Sequence, residues 1–231
     1  MKPTILLLHG ALNTSKQFSL LSAKLQPYFE VHTLDFSGHS QVPYEGVLDL
    51  QVLVGDIALY VEQMESETFH IFGYSMGGYA AVSFANNKPK KLGKIITLGT
   101  KWDWNPTTSN KEVAMLDPET MTEKVPTYAA KLQALFGEKN WTNVVRNTAA
   151  LMYDLGNDGG LVEDDFKTIK TDVLILRGSE DKMVTSESSQ EIASWLENGI
   201  YLEIDAAPHP LEKVDLDVLV HEIVGYCGLT S

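Results

Sequence analysis

The stretch Phe72-Gly73-Tyr74-Ser75-Met76-Gly77-Gly78 has a Gly-x-Ser-x-Gly core that follows an apolar run and opens a segment rich in small residues. A serine on a sharp strand-to-helix turn has a strained backbone, so the residues around it must lack bulk. Gly73 and Gly77 meet that need, and Gly78 lets the following helix lie close to the sheet. A chance Gly/Ser turn is the alternative, but the flanking patterns favour a nucleophile elbow. Ser75 would then lie at a helix N-terminus, where free N–H groups stabilise negative charge.

Two later apolar runs lead to an acid and to a histidine. Residues 172–177 are followed by Asp181, and residues 200–205 are followed by His209 between two prolines. A serine, then an acid, then a histidine, each just past a predicted strand, is the chain order of the α/β-hydrolases. The chain therefore resembles that superfamily, and the resemblance covers nearly its whole length.

The chemistry of acyl transfer explains these residue types. A serine hydroxyl is a weak nucleophile at neutral pH, so His209 would accept its proton and later return it to the leaving group. Asp181 would hold the imidazole in one tautomer. Glu180 is the nearest alternative acid and Asp103 a more distant one. The family pattern Gly-x-x-Asp-x-x-Val, which here begins at Gly178, favours Asp181.

A further match to the family lies near the N-terminus. Residues 5–12 read as a strand that runs into a His-Gly turn. The resemblance implies that the backbone N–H groups of Ala11 and Met76 form the oxyanion hole. His9 is expected to brace this turn, and His39, in a loop similar to the superfamily's Asp-x-x-Gly-His-Gly, is expected to brace rather than react.

Composition narrows the class of protein. The 231 residues fit one domain, and the net charge of −13 disfavours binding to nucleic acid or to anionic membranes. The single cysteine, Cys227, excludes an internal disulfide. No run is long enough for a signal peptide or a membrane span, so a cytoplasmic location is expected. No motif implies a metal or an organic cofactor.

Short apolar runs alternate with helical patterns, which predicts an α/β fold with a mainly parallel sheet of about six strands. Strands are expected near 4–8, 30–36, 69–74, 94–99, 172–177 and 200–205. Helices are expected near 15–27, 49–65, 76–87, 186–197 and 212–226.

About seventy residues separate the fourth and fifth predicted strands, which is too long for one crossover. In the family that the chain resembles, a helical cap is inserted at this point. We therefore expect one domain over 1–231, with its core in 1–100 and 169–231 and a cap in 101–168. Trp102 and Trp104 follow directly from a strand end, so they are candidates for the pocket wall, with plain packing as the alternative.

These features predict a serine hydrolase that cleaves a carboxylic ester or related acyl bond of a small, largely uncharged substrate. The same triad serves C–C bond hydrolases, acyltransferases, perhydrolases and lyases, and a non-catalytic ligand receptor is a third possibility. The motifs do not separate these chemistries, and they leave the oligomeric state open.

Overall fold

A parallel β-sheet runs through the centre of the computed structural model, which describes residues 2–229. Its strands are β1 (Thr4–Leu8), β2 (Glu30–Leu34), β3 (Phe69–Tyr74), β4 (Leu92–Leu98), β5 (Asp172–Gly178) and β6 (Gly199–Ile204). Within the described residues these six strands pair in the order β2-β1-β3-β4-β5-β6, all in parallel. The predicted fold class and strand number are thus confirmed, with strand ends shifted by no more than two residues.

Helices connect the strands and cover both faces of the sheet. They are α1 (Ser19–Leu25), α2 (Leu50–Glu62), α3 (Met76–Ala85), α4 (Pro106–Val113), α5 (Pro118–Lys124), α6 (Pro126–Phe136), α7 (Trp141–Asp154), α8 (Glu163–Thr168), α9 (Ser186–Trp195) and α10 (Leu216–Tyr226). The predicted helix 15–27 is instead a 3-10 turn, Ser15–Phe18, followed by α1. The predicted helix 212–226 begins later, because the Asp215 side chain accepts the N–H groups of Asp217 and Val218 and caps α10 there.

Alternation along the buried strands divides the core into two layers. Ile5 and Leu7 of β1 pack in one apolar cluster with residues of α1 and α10, whereas Leu6 and Leu8 pack in the other with α2, α3 and α9. Side chains of a strand point alternately to opposite faces, so a parallel strand covered on both sides must be apolar throughout. The sheet is therefore held rigidly, and its carboxyl edge offers a fixed platform for side chains.

Five helices, α4 to α8, occupy the described segment between β4 and β5. Three of them begin with proline at the first helical position, where its missing N–H costs nothing. Leu132 and Phe136 of α6 are fully buried in a third apolar cluster, together with Val144 and Val145 of α7. This cluster gives the helical segment a core of its own.

Among residues 2–229, no helix is both long and apolar enough to cross a membrane.

Candidate active site

Ser75 lies at the sharp turn between β3 and α3. Its backbone has φ 51° and ψ −116°, a strained conformation for a residue with a side chain. The Ser75 N–H donates to the carbonyl of Leu98 at 2.9 Å, which ties the turn to the end of β4. A Cβ on Gly77 would lie only 2.1 Å from the Leu8 carbonyl oxygen, so only glycine allows α3 to approach β1 this closely. The packing of the sheet thus sustains the strain at Ser75.

His209 and Asp181 are hydrogen-bonded to each other. His209 Nδ1 lies 2.7 Å from Asp181 Oδ2. The other carboxylate oxygen accepts the backbone N–H groups of Met183 at 2.8 Å and Val184 at 3.1 Å. Burial would raise the pKa of Asp181, but the hydrogen bonds from His209 and from these N–H groups outweigh it and lower that pKa. An ionised Asp181 can only accept, so His209 carries its proton on Nδ1 and leaves Nε2 free for proton transfer.

The alternative acids lie elsewhere. Glu180 is exposed at the surface. Asp103 forms an ion pair with Lys101, with 3.3 Å between Oδ1 and Nζ.

Two residues that sequence reasoning missed hold this pair in place. Arg177 Nη2 donates to the Asp181 carbonyl and Nε donates to the Val184 carbonyl, each at 2.8 Å. The Tyr74 hydroxyl donates to the His209 carbonyl at 2.9 Å. An arginine at the end of the acid's strand and a tyrosine directly before the serine were the available signals. Neither belongs to a motif, because each bonds to backbone carbonyl groups, which every residue carries.

Ser75, His209, Ala11 and Met76 all line one cavity of about 50 Å³ at the carboxyl edge of the sheet. Met76 is the first residue of α3, so its N–H has no acceptor within the helix. No hydrogen bond joins Ser75 Oγ to His209 among the described residues. Catalytic hydrogen bonds of this kind often form only when substrate binds. What brings Ser75 and His209 together in this structure is that both line the same cavity.

The rest of the cavity wall is mostly apolar, and both α2 and the helical segment between β4 and β5 contribute to it. α2 contributes Leu50 and Leu53, and α7 contributes Leu151 and Met152. A charged pair, Lys101 and Glu112, interrupts this apolar surface.

The two tryptophans proposed for the pocket wall lie in different places. Trp104 lines the cavity that contains Ser75. Trp102 does not line it; its indole packs against Tyr79 and Phe166 in the core and borders a second cavity of about 310 Å³, which Trp104 also borders. Lys101, the residue before Trp102, also lines the first cavity.

His9 and His39 are fully buried beside the turn, with ring centroids 5.3 Å apart. The Phe36 N–H donates to His9 Nε2 at 3.1 Å, so the proton is on Nδ1, which donates to the Gly10 carbonyl at 2.8 Å. Burial lowers the pKa of His9 to about 4. Burial, with the neighbouring His9, lowers the pKa of His39 to about 3. Both rings are therefore neutral, and they support the loops around the cavity rather than line it.

Among residues 2–229, no group of three or more histidine, cysteine, aspartate or glutamate side chains is arranged to hold a metal ion.

Several curated proteins match part of the chain. It is 30% identical to enterobactin synthase component F of Escherichia coli (strain K12) over 125 residues, which are 52% of this chain and 10% of that protein. It is 33% identical to pimeloyl-[acyl-carrier protein] methyl ester esterase of Vibrio campbellii over 98 residues, which are 42% of this chain and 37% of that protein. The chain thus spans well under half the length of these relatives.

Solved structures match nearly the whole chain. The enol-lactonase from Burkholderia xenovorans LB400 superposes with a TM-score of 0.79 at 18% identity, covering 99% of this chain and 92% of that one. The 2-hydroxy-6-oxo-6-phenylhexa-2,4-dienoate hydrolase from Rhodococcus sp. strain RHA1 superposes with a TM-score of 0.77 at 19% identity, covering 97% and 90%. At such low identity, these likenesses show the fold alone.

A family model described as "Serine aminopeptidase, S33" matches residues 1–200. The matched range includes Ser75 and Asp181 and ends before His209. The sequence match and the fold agree with each other. The chain belongs to the serine aminopeptidase S33 family of α/β-hydrolases.

Proposed function

We propose that the chain is a serine hydrolase that cleaves a carboxylic ester or related acyl bond of a small, largely uncharged substrate through an acyl-enzyme. One observation carries the proposal: His209, which is hydrogen-bonded to Asp181, lines the same small cavity as a serine on a strained strand-to-helix turn. That arrangement makes an alcohol nucleophilic.

In the proposed mechanism, Ser75 Oγ attacks the substrate carbonyl while His209 Nε2 takes the hydroxyl proton. Asp181 stabilises the resulting imidazolium through the bond to Nδ1. The N–H groups of Ala11 and Met76 bind the tetrahedral oxyanion, and the proton then passes from His209 to the leaving alcohol. A water molecule, deprotonated by the same imidazole, attacks the acyl-enzyme carbonyl; the bond to Ser75 Oγ then breaks, the imidazolium returns its proton to Oγ, and the acid leaves.

We further propose that residues 101–168 form a cap over a core made of 1–100 and 169–231. Its helices contribute to the cavity wall, with Glu112 on α4 and Leu151 on α7. Since the Ser75 turn and the cap both shape this cavity, the core would supply the chemistry and the cap would select the substrate.

The test is covalent labelling by a fluorophosphonate probe, together with turnover of short-chain chromogenic esters. Ser75→Ala should lose labelling, and Ser75→Ala or His209→Ala should lower ester turnover by roughly 10³–10⁶-fold. Ser194→Ala is the matched control, because Ser194 is exposed on α9 and bonds only to the Glu191 carbonyl. Labelling of Ser75→Ala equal to that of the control would remove Ser75 from the mechanism.

A further inference from the structure

The cavity contains an ion pair that the proposed chemistry does not use. Lys101 follows β4 by three residues and Glu112 lies on α4, so the pair joins the sheet to the segment above it. Lys101 Nζ lies 3.6 Å from Glu112 Oε1, and the side chains are only 16% and 11% exposed. Both residues line the same cavity as Ser75 and His209.

The pair has unused hydrogen-bonding capacity. The distance to Glu112 is longer than a hydrogen bond, and Asp103 Oδ1, 3.3 Å from Lys101 Nζ, is buried without a hydrogen-bond partner among the described residues. An ammonium has three donors and a carboxylate about four acceptor positions. The Lys101 ammonium also lies 5.8 Å from the centre of the Trp104 ring, which fixes its position without using a donor.

A bound substrate must replace the water around these charges. Most of the surrounding wall is apolar, so a purely alkyl group would desolvate Lys101 and Glu112 without returning any hydrogen bond. Leaving charged groups unpaired in such a site is costly. A substrate group that both accepts and donates would satisfy both.

The charge around Lys101 indicates whether the substrate group that binds there is neutral or ionised. Two carboxylates, of Asp103 and Glu112, surround the single ammonium of Lys101. The local charge is therefore negative, as is the net charge of the chain. A substrate carboxylate would add another negative charge to this site, whereas a neutral group would not.

We propose that Lys101 and Glu112 form a specificity-determining pair that binds a neutral polar group, a carboxamide or a hydroxyl, on the acyl part of the substrate. The acyl part stays bound to Ser75 through both steps, so a polar group on it can contact the pair throughout the reaction. The substrate oxygen accepts from Lys101 Nζ, and the substrate N–H or O–H donates to Glu112. This inference rests on the proposed function and adds the substrate class.

The experiment measures the release of acid from three matched methyl esters. The first is the ester of a dicarboxylic acid monoamide, the second replaces the carboxamide by a branched alkyl group of the same shape, and the third is the monoester of the free diacid. Each is tested at several chain lengths. The monoamide ester should have the highest kcat/KM, by about 10- to 100-fold over the isostere, the range typical of hydrogen bonds to charged groups. A wild-type enzyme that prefers the isostere or the free acid at every length would overturn the proposal.

Substitutions at Lys101 and Glu112 test whether this preference depends on the pair. Lys101→Met/Glu112→Gln, which removes both charges together, should abolish the preference for the monoamide and raise turnover of the alkyl isostere. Glu112→Gln alone should raise turnover of the free-acid monoester relative to the monoamide. The control is Lys167→Met/Glu163→Gln, an exposed pair of the same type on α8, which should keep the wild-type ratios. Unchanged ratios in the Lys101/Glu112 double variant would refute the role of the pair.

Fluorophosphonate labelling separates this inference from the proposed function. Loss of labelling in the wild type would refute the hydrolase mechanism itself. Normal labelling without the monoamide preference would refute only the recognition role of Lys101 and Glu112. The wild-type ratios decide this without any variant, so a variant that fails to fold does not remove the test.

Discussion

Acidification should destabilise this fold through two buried histidines. His9 and His39 are fully buried and neutral, with pKa values lowered by burial to about 4 and about 3. In the unfolded chain both return to the ordinary value of 6.5. Between these limits the unfolded state binds more protons than the folded state, so the free energy of unfolding falls as pH decreases. The stabilising contribution is complete above about pH 6.5 and is lost as pH falls toward about 4 for His9 and about 3 for His39.

The size of the effect follows from these values. Lowering the pH from 7 to 5 should reduce the free energy of unfolding by about 2 kcal/mol for each ring, or about 4 kcal/mol for both. The half-buried His70 also has a lowered pKa and adds a smaller loss in the same direction. Asp181 has its pKa lowered below 3.8, so its contribution is lost only at more acidic pH. The predicted loss is a large part of a typical domain's stability.

The assay is urea unfolding followed by tryptophan fluorescence at several pH values between 7 and 5. His39→Gln removes one of the two titrating rings and keeps a side chain that hydrogen-bonds. Its loss of stability over this range should be about half that of the wild type, whatever its stability at pH 7. His221→Gln is the control, because His221 is exposed on α10, and it should lose as much as the wild type. Equal losses in His39→Gln and His221→Gln would refute the reasoning.

Two further substitutions test the support around His209, the proposed general base. Gly99→Ala introduces a Cβ at φ +61° and only 3.3 Å from His209 Nδ1 and 3.4 Å from Asp181 Oδ2, so ester turnover should fall by about 10- to 100-fold. Gly137→Ala is its control, since it has a similar φ of +83° with nothing within 4 Å, and normal turnover in both variants would contradict this prediction. Tyr74→Phe removes the hydrogen bond to the His209 carbonyl, so we expect a loss of about 1 kcal/mol in unfolding free energy and a several-fold lower kcat. Steady-state kinetics and urea unfolding measure both, and an unchanged kcat would show that this bond does not position His209.

Local patterns were sufficient to predict the sheet and the order of the candidate catalytic residues. Continuous apolar runs mark strands that are buried on both faces, and glycines mark the turn that holds Ser75. Two of the five predicted helices, 15–27 and 212–226, begin later as α-helices than expected. The second begins late because the Asp215 side chain caps α10 directly after an extended Val214, and capping depends on single side chains.

Which side chains line the Ser75 cavity was decided by the tertiary structure. Trp102 and Trp104 both follow β4 closely, yet only Trp104 lines the Ser75 cavity, whereas Trp102 packs against Tyr79 and Phe166 in the core. The approach of Lys101 to Glu112 is a second example. Lys101 lies in the loop after β4 and Glu112 lies on α4, and no local pattern predicts their contact.

The sequence by itself determined that this chain forms a parallel sheet covered by helices, with a serine, an acid and a histidine after β3, β5 and β6, because strand patterns and turn glycines act over a few residues. Only the tertiary structure decided which charged and aromatic side chains face the Ser75 cavity and which histidines are buried and neutral. Those properties arise from contacts and desolvation between segments that are far apart in the chain.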